Sequence, residues 1–369
     1  MDKRRMGVEF LEKKKKTLAF IGSYADSNNP GVYTCQYDEE NGSLEVTHQV
    51  NGLQNPTFLT VDASNWKLYA LTEGVDENQQ RCGAATSYEI NSATGELTFL
   101  NNEITLPATT CHITLDHTNQ VVMVASYHGG MVGLSPVLAD GRIGTTADIQ
   151  QHHGASVLSV QDRPRAHSVF LDRANRYAGV CDLGLDKIMM YKLDIPAKRL
   201  IPHNEVKVDP GSGPRHFAFH PSYAFGYVIN ELGSTVTAFS YNEELGELTE
   251  IQTISTLPES YDGENACADI HVSPDGKFLY GSNRGHDSIV VYAIDAATGK
   301  LTVVEYAPTL GKHPRNFAIS PDGQFVLVAN KDSDDIVSFS RDSQSGKLVP
   351  TGSVLNVSKP VCIKFAIVE

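Results

Sequence analysis

No stretch of this chain comes near the roughly 18 consecutive apolar residues that a membrane-spanning helix needs. No long apolar pattern repeats every 3.6 residues either, so helices should be few. Positive charge is short: 30 Lys and Arg face 44 Asp and Glu, a formal net charge of −14. That balance argues against nucleic acid as the main partner, because a phosphate backbone calls for a basic face. Cysteine is sparse, with six residues at 35, 82, 111, 181, 267 and 362 and no CxxC pair. A disulfide framework is therefore not expected; reduced, mostly buried thiols in a reducing, cytoplasmic compartment are. The opening MDKRRMGVEFLEKKKK is basic like the head of a secretion signal, but the apolar run behind it is too short and lacks a small-residue cleavage site. Residues 1–16 are expected to form a solvated tail. Also missing are a P-loop, a dinucleotide fingerprint and a serine nucleophile elbow. The pair His152–His153 has no carboxylate at ligand spacing, so no metal site is expected there.

The chain is rich in β-formers and in self-similarity. Fifteen Tyr and fourteen Phe join abundant Val, Ile and Thr. Four short elements recur in fixed order. The first ends in an acidic or Pro-containing turn: PTFLTVDAS, TCHITLDHT, AHSVFLDRA, RHFAFHPS, ADIHVSPDG, RNFAISPDG and VCIKFAIVE. Equivalent residues Val61, Leu115, Leu171, Phe219, Val272, Ile319 and Phe365 lie 46 to 56 residues apart, at or slightly above the spacing of propeller blades. The second element follows the turn (KLYALTE, VVMVASY, FLYGSNR), the third alternates aromatics (ATSYEIN, VTAFSYN, IVVYAID), and the fourth opens on a TGE, LGE or TGK turn. Period-two alternation bounded by Gly, Asp, Asn and Pro marks antiparallel hairpins. The seventh first element ends the chain, and its partners are TLAFIGSY, GVYTCQYD and SLEVTHQV at the start. The expected fold is all-β: one seven-bladed β-propeller over 17–369, four antiparallel strands per blade, with the C-terminal strand entering the N-terminal blade to close the ring.

That register locates a site. The start of each innermost strand and the end of the second strand share one rim of the central channel. The first set contributes Thr57, Cys111–His112, His167, Arg215–His216, Ala268–Asp269, Arg315–Asn316 and Val361; the second contributes Tyr24, Glu73, Tyr127, Asp182, Glu231, Arg284 and Lys331. Arg215, Arg284 and Arg315 gathered in a concave mouth repel one another unless an anion sits among them. His167 opens a strand and is placed to act as a base near neutral pH. Arg215 follows a Gly-Pro turn, a rigid platform for a carboxylate or phosphate. Glu231 is a second candidate base, or the ion-pair partner of Arg215. Gly285, after Arg284, allows close approach of backbone or ligand. His112, His128 and His286 carry weaker signals.

At these residues the chain resembles a known family. GSYADSNNPGVYTCQYDEENG, PRAHSVFLD, GSGPRHFAFHP, YVINEL, SNRGHDSIVVY, HPRNFAISPDG and LVANKDSDDIV are similar to segments of the seven-bladed lactonase family, which includes propeller-type bacterial 6-phosphogluconolactonases and fungal carboxymuconate lactonizing enzymes. The resemblance covers nearly all of 17–369. SPDG turns occur in many propellers; GPRH, NEL and NRGHDS in this order are far more specific. The resemblance implies a rim site of one histidine, two arginines and one glutamate, matched here by His167, Arg215, Glu231 and Arg284. Three departures stand out: Arg165-Ala166-His167 replaces an HxH-like pair, LTE replaces an ANE-like motif, and SYHGG lacks an Asn before its glycine turn.

The activity implied is hydrolysis of a sugar δ-lactone, 6-phospho-D-glucono-1,5-lactone first among them, to the open acid. His167 or Glu231 would activate water, Arg215 or Arg284 would steady the oxyanion, and the other arginine with Arg315 or Lys331 would hold the phosphate. His216, Glu73 and Tyr24 complete the expected substrate contacts. No metal or organic cofactor is called for, since a lactone is already activated. A carboxylated muconate or its lactone is the alternative substrate. A non-catalytic interaction propeller is the alternative class, and it would not concentrate arginine in the channel. The expected partner is a small anionic lactone, with no nucleic acid or membrane, on a monomer or homodimer.

Overall fold

The computed structural model describes residues 16–368. Its strands form seven four-stranded antiparallel sheets, each a blade. Blade 1 holds Lys16–Ser23, Val32–Tyr37 and Leu44–Val50 together with Pro360–Val368, and blades 2 to 7 follow in chain order. The innermost strands are Leu59–Asp62, His112–Leu115, Ala166–Leu171, Pro214–Phe219, Ala266–Val272, Pro314–Ile319 and Pro360–Val368. The helical content among the described residues is one 3₁₀ turn, Ser159–Gln161, and no helix there is long and apolar enough to cross a membrane.

Ring closure follows the repeat. Pro360–Val368 lies antiparallel to Lys16–Ser23, pairing Thr17 with Ile367, Ala19 with Phe365 and Ile21 with Ile363. Lys16 already pairs with Val368, so the blade begins one residue earlier than the sequence places it; the expected tail otherwise lies outside the described residues. Apolar residues of the middle strands face the neighbouring blades. The core is accordingly a ring of clusters between blades, such as Phe170 stacked on Phe217 at 3.9 Å between blades 4 and 5, and Ile21, Leu327 and Ile363 across the closing seam. All six cysteines are free; five are buried and Cys111 is partly so.

The innermost strands share an irregularity at the channel mouth. Ala166 pairs with Asp182 and Ser168 with Cys181, which leaves His167 unopposed. Pro214 and His216 pair with Asn230 and Ile229 around Arg215, and Pro314 and Asn316 pair with Asn330 and Ala329 around Arg315. Blade 6 skips two residues, Ala268 and Asp269. A bulge inserts a residue without a ladder partner and re-aims its side chain. Here it removes His167, Arg215 and Arg315 from the sheets at the same height in three blades.

Candidate active site

The channel mouth holds a cavity of about 290 Å³ lined by His167, Glu231, Arg315, Tyr127, Cys111 and Thr57, with Tyr24, Asn55 and Glu73 on its edge. Its floor rests on an ion triad. Glu231 Oε2 lies 2.7 Å from Arg215 Nε and 2.9 Å from Arg284 Nη2. The Arg215 Nε–H points off the carboxylate, so that contact is charge against charge rather than an aligned hydrogen bond. Blade 6 supplies the rest of the cradle through carbonyls next to its bulge. Ala268 O accepts from Arg215 Nη1, Ala266 O from Arg284 Nε at 3.1 Å, and Cys267 O from Arg284 Nη2 at 2.5 Å. No hydrogen bond among the described residues engages Glu231 Oε1. At 17% exposure Glu231 is the open member of the triad; Arg215 (2%) and Arg284 (7%) are closed in.

Burial and crowding set the charges. Burial, reinforced by Arg315 and Arg284 and opposed by Glu231, pushes Arg215 down to about 9, so it remains a cation at neutral pH. Burial alone would raise Glu231, but Arg284 and Arg215 outweigh it and hold the carboxylate ionised. His167 is held well below the ordinary histidine value by burial and by Arg215, His216, Arg315 and Arg284, and its ring is therefore neutral. Its Nδ1 is buried without a hydrogen-bond partner. An anion entering this cavity would relieve the repulsion among the cations and raise the basicity of His167.

Below the mouth, rings fill the channel. His167 meets His216 at 5.3 Å between centroids, His216 meets His112 at 5.5 Å, and His112 meets Phe58 at 4.3 Å, with Lys364 Nζ 4.7 Å from the Phe58 ring. Asp269 fixes the column: Oδ1 lies 2.7 Å from His216 Nδ1, while Oδ2 takes His271 Nε2 at 3.0 Å and Asn316 Nδ2. Burial and Arg215 push His216 down to about 4, against the pull of Asp269.

The structure brings His167, Glu231, Arg315, Glu73 and Tyr24 to one cavity, as the sequence register places them. It moves others. Arg284 lies behind Glu231 and outside the cavity lining, its Nε and Nη2 held by two carbonyls and that carboxylate. Arg215 and His216 lie one layer deeper, around a space of about 10 Å³ shared with Arg315 and Cys111. Lys331 faces a neighbouring lobe. Asp182 and Asp269 leave the rim for buried networks. Gly285 does permit a close approach: at φ 130, a Cβ there would stand 2.2 Å from Glu264 O.

Sequence reasoning missed what fixes His167. His152 is buried, its Nδ1 2.6 Å from Asp182 Oδ2 and its Nε2 2.8 Å from the Tyr191 hydroxyl. Asp182 Oδ1 accepts the backbone N–H of Arg165 at 2.7 Å and of Gly184 at 3.0 Å. The latch thus grips the chain two residues before the bulge at His167. His152 does have a carboxylate neighbour, but one thirty residues away, which linear spacing could not reveal.

A closed ring of seven blades, with Arg215 and Arg315 carried on bulges at one channel mouth, defines a seven-bladed β-propeller with a cationic channel entrance. The chain belongs to the lactonase, 7-bladed beta-propeller family, whose model matches residues 18–365. It is 35% identical over 350 residues to the 6-phosphogluconolactonase of Bacillus subtilis (strain 168), covering 95% of this chain and 98% of that one. It is likewise 35% identical over 308 residues to the 6-phosphogluconolactonase of Formosa agariphila, covering 81% and 85%. Among solved structures, the periplasmic gluconolactonase of Pseudomonas aeruginosa superposes with a TM-score of 0.89 at 32% identity, covering 96% of this chain and all (100%) of that one.

Proposed function

We propose that this protein is a lactonase that opens 6-phospho-D-glucono-1,5-lactone by water attack. The observation that carries the mechanism is a neutral histidine, an ionised glutamate and a half-buried, unpaired guanidinium facing one cavity. Glu231 Oε1 accepts a hydrogen bond from the water and orients it, held by Arg215 and Arg284. His167 takes the water proton as the oxygen bonds to the lactone carbonyl carbon. Arg315 is assigned to the carbonyl oxygen in place of the closed-in Arg215 and Arg284, because among the described residues it is the guanidinium lining this cavity. Donors aimed at a developing oxyanion are worth about 3 kcal/mol each. Collapse of the tetrahedral intermediate breaks the bond to the ring oxygen, which takes the proton back from His167, leaving the acid and a free hydroxyl. Every step uses side chains already in place. Six free cysteines also suit the reducing cytoplasm, where we place the protein.

The test is a coupled assay of the phosphorylated lactone, with a carboxymuconate lactone as control substrate. His167→Ala is expected to lower kcat by about 10²-fold or more, in the range of general-base removal. Wild-type turnover by His167→Ala, or preference for the muconate lactone, would overturn the reading.

A further inference from the structure

Beside the reaction cavity lies a second lobe of about 380 Å³, and Tyr24, Asn55 and Arg315 line both. This lobe sits on the seam that closes the ring. Tyr24, Ala25 and Asp26 come from the first blade, Arg315 and Lys331 from the last, and Lys359 from the link into the closing strand. The link is fixed by its backbone: Lys359 N donates to Asp334 Oδ1 at 2.7 Å, and its carbonyl accepts from Tyr24 N at 3.1 Å. Arg315 lies 5.7 Å and Lys331 Nζ 6.0 Å from the centre of the Tyr24 ring. Two carboxylates temper the cluster. Lys331 Nζ pairs with Asp332 Oδ1 at 2.8 Å, and Asp26 lines the lobe with its oxygens engaged by Asn28 N and Asn29 Nδ2. No ion pair or hydrogen bond among the described residues engages the Arg315 guanidinium or the Lys359 ammonium.

We propose that this seam lobe is a phosphomonoester subsite and that Lys359, with Lys331 and the outer edge of Arg315, makes the enzyme distinguish phosphorylated from unphosphorylated sugar lactones. The inference rests on the lactonase reading above. A phosphate dianion there meets two unpaired cations and a third that it can share with Asp332, on a protein whose overall charge repels anions. The remote phosphate then anchors the sugar while the carbonyl lies between Arg315 and His167, so binding energy gained away from the reacting carbon positions it.

The test is the ratio of kcat/KM for 6-phosphogluconolactone to that for gluconolactone, together with inorganic phosphate titrated calorimetrically into the same preparations. Lys359→Met keeps the length and removes the charge; without this charge-assisted hydrogen bond to phosphate, the ratio should fall about tenfold and phosphate binding should weaken similarly. Lys359→Arg should restore both, whereas Lys347→Met, on an exposed hairpin of blade 7, should alter neither. An unchanged ratio and unchanged phosphate affinity in Lys359→Met would overturn the subsite, as would an equal loss on both lactones. If wild-type protein hydrolyses neither lactone, the lactonase reading fails, and the phosphate titration still decides the subsite.

Discussion

At the scale of single residues, the site is governed by how little water its ionisable groups see. His216 is the clearest case for a measurable consequence. Unfolded, it protonates near the ordinary value of about 6.5; folded, it is held down to about 4 by burial and Arg215. Between those values the unfolded chain binds a proton that the folded protein does not. The stability His216 contributes is therefore complete above about pH 6.5 and is lost as pH falls towards 4, on the order of 3 kcal/mol over the window. His167 and His112 are shifted in the same direction, while Asp269, held well below its ordinary 3.8, releases its contribution only at lower pH. Denaturant unfolding at pH 7 and pH 5 should show a marked drop for the wild type. His216→Gln, which cannot protonate but can still donate to Asp269, should start less stable and drop less. Equal drops in the two proteins would refute this linkage.

At the scale of strands and turns, the candidate site is built on a one-residue fault repeated in three blades. The Gly213-Pro214 turn shows how it is held. Gly213 sits at φ 65 with its N–H on Asp186 Oδ1 at 2.7 Å, and its carbonyl accepts Glu231 N at 2.7 Å. One residue therefore ties the Arg215 bulge to the backbone of Glu231. A Cβ there would stand 2.6 Å from Leu232 Cγ. Gly213→Ala should cost about 2 kcal/mol from the left-handed backbone and the clash, and lower kcat about tenfold by displacing Arg215 and Glu231 together. A melting curve and kcat on the same preparation separate this from a purely structural lesion, in which the melting temperature falls and kcat at low temperature holds. The strands were legible because alternation and turn residues are local signals, and the blade register carried His167, Glu231 and Arg315 to the same mouth. The bulges were not, since skipping one residue at a strand's second position leaves the apolar alternation behind it intact. Side-chain direction was also hidden. Arg284 and Asp182 occupy the same register position in adjacent parts of the ring as Glu231, yet carbonyls freed in blade 6 turn the arginine inward and His152, from a loop outside the repeat, captures the aspartate.

At the scale of the whole ring, the closing strand both fastens the fold and furnishes the anion lobe. Pro360–Val368 makes its ladder with Lys16–Ser23 and buries Val361, Cys362, Ile363 and Ala366 between blades 1, 2 and 7. A buried aliphatic side chain contributes about 1.5–3 kcal/mol, so losing this strand removes an amount comparable to the roughly 5–15 kcal/mol by which a domain is stable. It also bares the edge of Lys16–Ser23, a row of unpaired N–H and C=O groups ready to join another chain. A protein ending at Val357 should therefore associate on size-exclusion chromatography, melt well below the full chain and lack lactone hydrolysis, since Lys359 and the wall beside Arg315 go with it. Adding the peptide 358–369 in trans should restore a single species and part of the activity, because the strand pairs without a covalent link to its neighbour in the blade. A truncated protein that stays monodisperse and melts like the full chain would mean that the ring closes without the inner strand of blade 1, and would owe its integrity to the contacts between blades instead.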